Sequence, residues 1–293
     1  MIDLLQAAPH VRMLRDRLLV VKAGGACLDA AGRAALARQL AVIQDLGARV
    51  VLVHGAGPQT DLLQRALGEE PEKIGGRRRT TPGALRALRH ASQGEVNGDL
   101  GAALTAAGAR AVGVDAGASG VLRARRRPPV TLDGREVDFG EVGDLVELRP
   151  RLLQDLLAGG WMPVLGPPAG DGEGGFLNVN ADLVAAELAV ALEASKLVLL
   201  LDVPGLLQDP EDPSSLLSFL DLGQLQGLEA AGALRQGMAV KARAVARALE
   251  GGVRRVHLVS GREPEALLGE LYTDAGTGTL VTLHREAAEE VPV

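Results

Sequence analysis

The sequence predicts an α/β fold built on a mainly parallel β-sheet. Apolar runs such as "LLVV" (18–21), "VVLV" (50–53) and "LVLLL" (197–201) lack the alternation of a one-faced strand. Strands buried on both faces of a parallel sheet read this way. The runs alternate with Ala/Leu-rich stretches of helical length, the order that builds βαβ units. Glycines follow the carboxyl ends of several runs, at 24, 55, 166 and 205, where open parallel sheets bind their ligands.

Residues 3 to 16 are expected to form an amphipathic helix, with Leu4, Leu5, Ala8, Val11 and Leu14 on one stripe and Pro9 kinking it. A strand over 18–22 precedes a helix over 30–46 that Gly47 stops. "ARVVLVHGAG" repeats that logic before a helix near 58–67. Residues 84–107 read as helical in pieces, and 110–114 as a strand. "PPVTLDGREVDFG" alternates about Asp133-Gly134, a hairpin-turn signal. A helix near 150–158 leads into the strand "MPVLGPP", and a helix over 181–193 into "KLVLLLDVPG". After a polar loop at 208–214, helices near 221–231 and 237–250, the strand "RRVHLVS" and a helix near 263–271 complete the chain.

At 293 residues and 47% hydrophobic content the chain suits one large domain or two modest lobes sharing a sheet, and disorder is excluded. No apolar run reaches membrane-spanning length, and the first residues lack a basic-then-apolar secretory pattern. A net charge of −6 and only five aromatic residues argue against a nucleic-acid partner. The single cysteine, Cys27, excludes an intramolecular disulfide and fits a reducing cytoplasm. It reads as a small packing residue rather than a nucleophile.

Only four of the 31 basic residues are lysines: Lys22, Lys73, Lys196 and Lys241. A composition that uses arginine wherever charge alone is needed makes each retained lysine informative. Lysine is a compact point charge on a thin stem, able to sit between phosphate oxygens. Lys22 ends a strand directly before Gly24-Gly25, and "HGAG" at 54–57 offers further amides at a helix start. Asn178, Asn180 and Asp182 converge where another helix begins; Asn180 or Asp182 equally suits a plain N-cap. Lys241 is expected in the first turn of its helix, opposed to the macrodipole and suited to an anion. No Walker A loop, dinucleotide fingerprint, Gly-x-Ser-x-Gly elbow or zinc-spaced Cys/His set occurs, and His54 alone reads as structural.

Taken in order, "LLVVKAGGA", "VLVHGAGPQTD", "GRRRTT", "NVNAD", "DVPG" and "GMAVK" resemble the amino-acid kinase superfamily and, within it, the acetylglutamate kinases. "ELYTDAGTGTLV" is similar to the carboxyl-terminal signature of their arginine-regulated branch. The sequence departs from the family pattern at Ala56, Gly98 and Leu201.

The resemblance implies a three-layer αβα sandwich and ATP-dependent phosphorylation of the side-chain carboxylate of N-acetyl-L-glutamate in arginine biosynthesis. Lys22 and Lys241 would be catalytic, oriented by Asp182. Gly55, Ala56, Gly57, Arg78 and Asn178 would bind the acylamino acid. Gly24 and Gly25 would meet the nucleotide phosphates. Asp202, Val203, Gly205, Leu206 and Leu207 would hold the nucleoside, with Ala233 to Arg235, Gly237 and Met238. Mg²⁺ would arrive on ATP, with no protein ligand.

The resemblance further implies an oligomerisation helix at 1–17, an acylamino-acid lobe at 18–190 and a nucleotide lobe at 191–293. It implies a cytoplasmic homo-oligomer, a dimer or a ring-like hexamer, inhibited by L-arginine bound near Lys196, His257, Glu270, Gly276 and Gly278. Two alternatives fit the same residues: a kinase acting on acetylaminoadipate or its carrier-linked form, and a catalytically impaired amino-acid sensor.

Overall fold

The computed structural model describes residues 3–284 apart from 133, 210 and 235. Eight strands form the central sheet: β1 (Leu18–Ala23), β2 (Arg49–His54), β3 (Ala111–Val114), β4 (Met162–Leu165), β5 (Lys196–Leu201), β6 (Phe219–Asp221), β7 (Arg255–Ser260) and β8 (Thr279–Thr282). Their order is β6-β8-β7-β5-β1-β2-β4-β3. The six strands from β7 to β3 run parallel, while β8 is antiparallel to β7 and carries β6 in its own direction. The sheet is therefore mainly parallel, as the continuous apolar runs predict. The short strands β6, at the sheet edge, and β8, beside it, are additions to that reading.

Among the described residues ten helices pack about it: α1 (Leu4–Leu14), α2 (Ala30–Asp45), α3 (Gly57–Ala66), α4 (Pro82–Arg89), α5 (Asn97–Ala106), α6 (Arg151–Ala158), α7 (Ala181–Ala191), α8 (Leu222–Ala230), α9 (Gln236–Glu250) and α10 (Ala266–Tyr272). Strand side chains alternate between the two faces of a sheet. Leu18 and Val20, Val51 and Val53, and Leu197 and Leu199 thus build one core with α6, α7, α8 and α9. Leu19 and Val21, Val50 and Leu52, and Val198 and Leu200 build another with α1, α2, α5 and α10. Two cores on one sheet make three layers.

Local chemistry sets the boundaries. Asp29 caps α2 by accepting from Gly32 N at 2.8 Å. Gly47, at φ +92°, supplies the left-handed residue beyond its end, as expected. Helix α8 opens on a capping box between Asp221 and Gln224. The hairpin expected about 133–134 is present as strands Val130–Leu132 and Arg135–Val137, with Asp133 itself outside the described residues.

The same region holds strands the sequence reading did not anticipate. Leu122–Arg126 and Gly143–Leu148 pair antiparallel, and with Ala169–Gly170 and Phe176–Leu177 they form a four-stranded flap. The helical pieces at 84–107 are α4 and α5 joined by a π-helical turn, His90–Val96.

Helix α1 forms as expected, and its stripe is covered only in part. Leu14 is buried with Ala7, whereas Leu4 and Leu5 stand 84% and 85% exposed. The covered part packs against α10. Pro9 lies inside the helix without ending it.

Leu199, in the middle of β5, is wholly buried. Leu199→Ala should lower stability by about 2–5 kcal/mol in urea unfolding. Leu62→Ala, at a side chain 66% exposed, should stay within about 0.5 kcal/mol of the parent.

Candidate functional site

Lys22 shares its strand face with Leu18 and Val20, the face on which α7 and α9 pack. That register carries its ammonium to Asp182, in the first turn of α7, with Nζ to Oδ1 at 2.8 Å. Lys241 of α9 reaches the other oxygen, Nζ to Oδ2 at 3.2 Å. One carboxylate thus bridges two ammoniums, and Lys22 and Asp182 are both buried. Burial alone would raise the Asp182 carboxyl, but the two cations override it and hold it below the usual carboxylate range.

One detail differs from expectation. Helix α9 begins at Gln236, so Lys241 stands in its second turn rather than its first, and the argument from the macrodipole lapses. Asn180, not Asp182, is the cap of α7: its Oδ1 accepts from Asp182 N at 2.9 Å and Leu183 N at 3.0 Å. Asp182 is thereby free to face the lysines.

The two glycine loops touch. A Cβ on Gly25 would lie 2.6 Å from Pro58 Cδ and 3.1 Å from Gly57 N, and one on Gly55 would lie 3.3 Å from Gly25 N. Only glycine permits this approach of the β1 loop to the β2 loop. A Cβ on Gly24 would lie 3.7 Å from Lys22 Nζ, so this loop wraps the ammonium. Ala56 precedes α3 with φ −142°, a conformation any residue adopts, and is buried.

Arg78 is the member of its arginine triplet that reaches the start of α3. It donates to Gly57 O at 3.1 Å and Gln64 Oε1 at 3.3 Å, and pairs with Asp61. Arg79 turns outward to Glu72 at 2.9 Å. Asn178 donates to Thr80 Oγ1 at 3.0 Å, two residues beyond Arg78. Asp61, Gln64 and Thr80 were not singled out from sequence, although Asp61 and Thr80 lie inside the motif strings that drew attention.

Around β5's carboxyl end, Leu206 N donates to Thr279 Oγ1 at 2.8 Å, and Gly205 leaves no room for a side chain beside Thr279. Asp202 and Val203 are exposed. Gly237 and Met238 open α9. Arg235 lies outside the described residues. The Cys27 thiol is buried and donates to Asp202 Oδ1 at 3.2 Å and Leu201 O at 3.4 Å. Burial first, then the Asp202 carboxylate, push its pKa up to about 12, so it has no nucleophilic character at neutral pH.

Lys196, His257 and Glu270 also meet, on the opposite face of the sheet. Lys196 Nζ lies 3.2 Å from His257 Nε2, and His257 Nδ1 lies 2.6 Å from Glu270 Oε1. The remaining Glu270 oxygen accepts from Thr277 N at 2.7 Å and Gly278 N at 2.8 Å. Gly276, at φ +62°, brings the turn so close that a Cβ would stand 2.9 Å from Glu270 Oε2. Burial, then Lys196, lowers the His257 pKa to about 4 against the pull of Glu270. A neutral ring satisfies both contacts by donating from Nδ1 to Glu270 and accepting at Nε2 from Lys196. Burial also lowers Lys196 to about 8.

His54 is fully buried at the end of β2, and burial lowers its pKa to about 4 as well. Both histidines thus fold in the neutral form, while the unfolded chain titrates near 6.5. Between those values the unfolded state binds more protons, so stability is present above pH 6.5 and is lost as pH falls toward 4. Urea midpoints should fall steadily from about pH 7 to about pH 5. His257→Gln should flatten that slope. A level profile in the parent would mean that the histidines fold charged.

The amino acid kinase family model matches residues 17–260. An acetylglutamate kinase from Myxococcus xanthus is 44% identical over 291 residues, spanning 97% of this chain and 94% of that protein. The structure of N-acetylglutamate synthase from Neisseria gonorrhoeae complexed with coenzyme A and N-acetyl-glutamate superposes with a TM-score of 0.81 at 30% identity, over 94% of this chain and 62% of that one. The same synthase complexed with coenzyme A and L-arginine superposes at 0.79 with 27% identity, over 95% of this chain and 64% of the synthase. With its parallel sheet, paired glycine loops and near full-length likeness to an acetylglutamate kinase, the chain belongs to the amino acid kinase family.

Proposed function

We propose that this chain transfers the γ-phosphoryl group of ATP to the side-chain carboxylate of N-acetyl-L-glutamate, as a step of arginine biosynthesis. The observation that carries the reading is the buried Lys22–Asp182–Lys241 bridge beside two touching glycine loops. An acceptor carboxylate oxygen forms the new bond to phosphorus, the bond from phosphorus to the β,γ-bridging oxygen breaks, and acyl phosphate and ADP result. The acceptor is already ionised at neutral pH, so no general base is needed. Asp182, held anionic by its lysines, orients them rather than moving a proton.

Such a transfer depends on positioning and on stabilising charge spread over the phosphoryl oxygens. Lys22, with the Gly24 and Gly25 amides, faces the group in flight, and Lys241 faces the leaving side. Arg78 takes the α-carboxylate of the acceptor and Asn178 its acetylamino group, both within 18–190. The nucleoside lies on Asp202 to Leu207 and Gly237-Met238, within 191–293. Among the described residues no group of three or more His, Cys, Asp or Glu side chains is placed to hold a metal ion. Both Asp182 oxygens are engaged by ammoniums, and magnesium would arrive on the ATP phosphates.

An ADP-release assay with acetylglutamate and acetylaminoadipate side by side tests the reading. Acetylglutamate should be preferred by about 10–200-fold, the discrimination one methylene supplies. Faster turnover of acetylaminoadipate would reassign the substrate, and no turnover of either would support a sensor. Lys22→Arg should lower kcat by about 10²–10³ although the charge is kept.

The Lys196–His257–Glu270 cradle supports regulation by L-arginine. The Glu270 carboxylate faces a guanidinium, and the turn from Thr273 to Gly278 faces the amino-acid head. Helix α1 joins dimers into a hexamer through its exposed Leu4–Leu5 end. The parent should run as a hexamer in light scattering and be inhibited by arginine. Removing residues 1–16 should give active dimers with a weakened response. A full-length dimer indifferent to arginine would end this part of the reading and leave the kinase assignment standing.

A further inference from the structure

The helical run from Pro82 to Ala106 is interrupted by the π-helical turn His90–Val96, and what that turn does is not explained by the transfer chemistry. A π-helix bonds residues five apart where an α-helix bonds residues four apart, and such turns concentrate at functional positions. Here the Asn97 N–H donates to Ser92 O. The wider turn brings Ser92 and Asn97 together on the face that meets the carboxyl end of β4.

Three side chains on that face hold successive stretches of the chain leaving β4. Asn97 Nδ2 donates to Val164 O at 3.2 Å. Gln93 Nε2 donates to Gly166 O at 3.5 Å, and Ser92 Oγ donates to Pro167 O. Ser92 is fully buried, and Asn97 is 6% exposed. One residue before the turn, the Arg89 guanidinium lies over the Phe176 ring at 3.9 Å.

The segment so held is the root of the flap. Ala169 and Gly170 pair with Leu177 and Phe176, and the next residue is Asn178. On its other side Gly166 meets the His54 ring, whose Cε1 would lie 2.4 Å from a Cβ there, and His54 directly precedes the Gly55–Gly57 loop. The helix itself is capped by Thr81, which follows Thr80 and stands three residues beyond Arg78. The run is therefore linked to each group assigned to the acceptor through one or two intermediates, Phe176, the Gly166–His54 contact and Thr80–Thr81, and none of the contacts named here involves the loop at 202–207.

We propose that this helical run is a clasp that sets the flap at the acceptor distance, with Ser92, Gln93 and Arg89 as positioning residues for the acylamino acid. The proposal rests on the acceptor reading given above. The π turn supplies the register: an uninterrupted α-helix would turn Ser92 and Asn97 to different sides and release one of the two carbonyl contacts.

The test is steady-state kinetics of Ser92→Ala, once the parent is shown to release ADP with acetylglutamate. A parent without that turnover refutes the acceptor reading rather than the clasp. The expected result is a KM for acetylglutamate raised about 5–20-fold, with the KM for ATP within about twofold of the parent, the loss of one buried hydrogen bond on one side of the site. Arg89→Leu and Gln93→Ala should show the same split, and they serve alone if Ser92→Ala does not fold. Both KM values unchanged, or both raised together, would overturn the proposal, because a merely structural role moves the two substrates alike.

Discussion

One buried carboxylate shared by two ammoniums is the constraint around which the molecule is arranged. Two cations converging in a low-dielectric setting repel each other, and each loses its hydration. Asp182 offsets both costs, but only if β1, α7 and α9 present their side chains to a common point. Asn180 as cap fixes where α7 begins, the parallel pairing of β1 with β5 fixes the height of Lys22, and packing of α9 on α7 delivers Lys241. The cluster carries a net positive charge in a buried place, an arrangement that a polyanionic ligand completes.

The alternation of side chains along a strand gives the same sheet a second cluster. Lys22 lies on the α7 and α9 face, whereas Lys196 and His257 lie on the α10 face, where Glu270 meets them. Strand β5 connects the two: it begins at Lys196, pairs with β1 through Leu199 opposite Lys22, and ends in the loop at Asp202. A ligand that altered the neutral His257 or its Glu270 partner would act on the strand that also leads into the loop at Asp202. Coupling of that kind is reciprocal, so substrates would weaken or strengthen the effector by the same factor.

The central strands were legible because a buried parallel strand leaves little else for the residues to do: Leu18–Val21 and Leu197–Leu201 have no polar face to offer. Asp182 and the lysines were legible through lysine scarcity and motif order. The flap strands were not, because "LRARR" at 122–126 buries only Leu122 and Ala124 and otherwise reads as a solvated basic stretch. The strands β6 and β8 are too short for a periodicity to develop. The π turn was hidden for a different reason, since one extra residue in a helix changes phase without changing composition. Its only trace is the five-residue interval between Ser92 and Asn97, which becomes meaningful once the carbonyls of Val164 and Pro167 are seen beneath them. Helix α1 was legible as amphipathic, but its periodicity alone could not say that Leu14 and its neighbour Ala7 dock while Leu4 and Leu5 stay exposed.

The Cys27 thiol has a use of its own. It is the chain's single cysteine, buried at the point where the turn after Gly25 meets Asp202, and protonated up to about pH 12. A thiol reagent reacts with it only when that junction opens, and then at the rate of an ordinary exposed cysteine. The rate of labelling therefore measures how often the loop after β1 parts from the loop after β5. The protein thus carries its own reporter on the opening of that junction, with no engineered probe required.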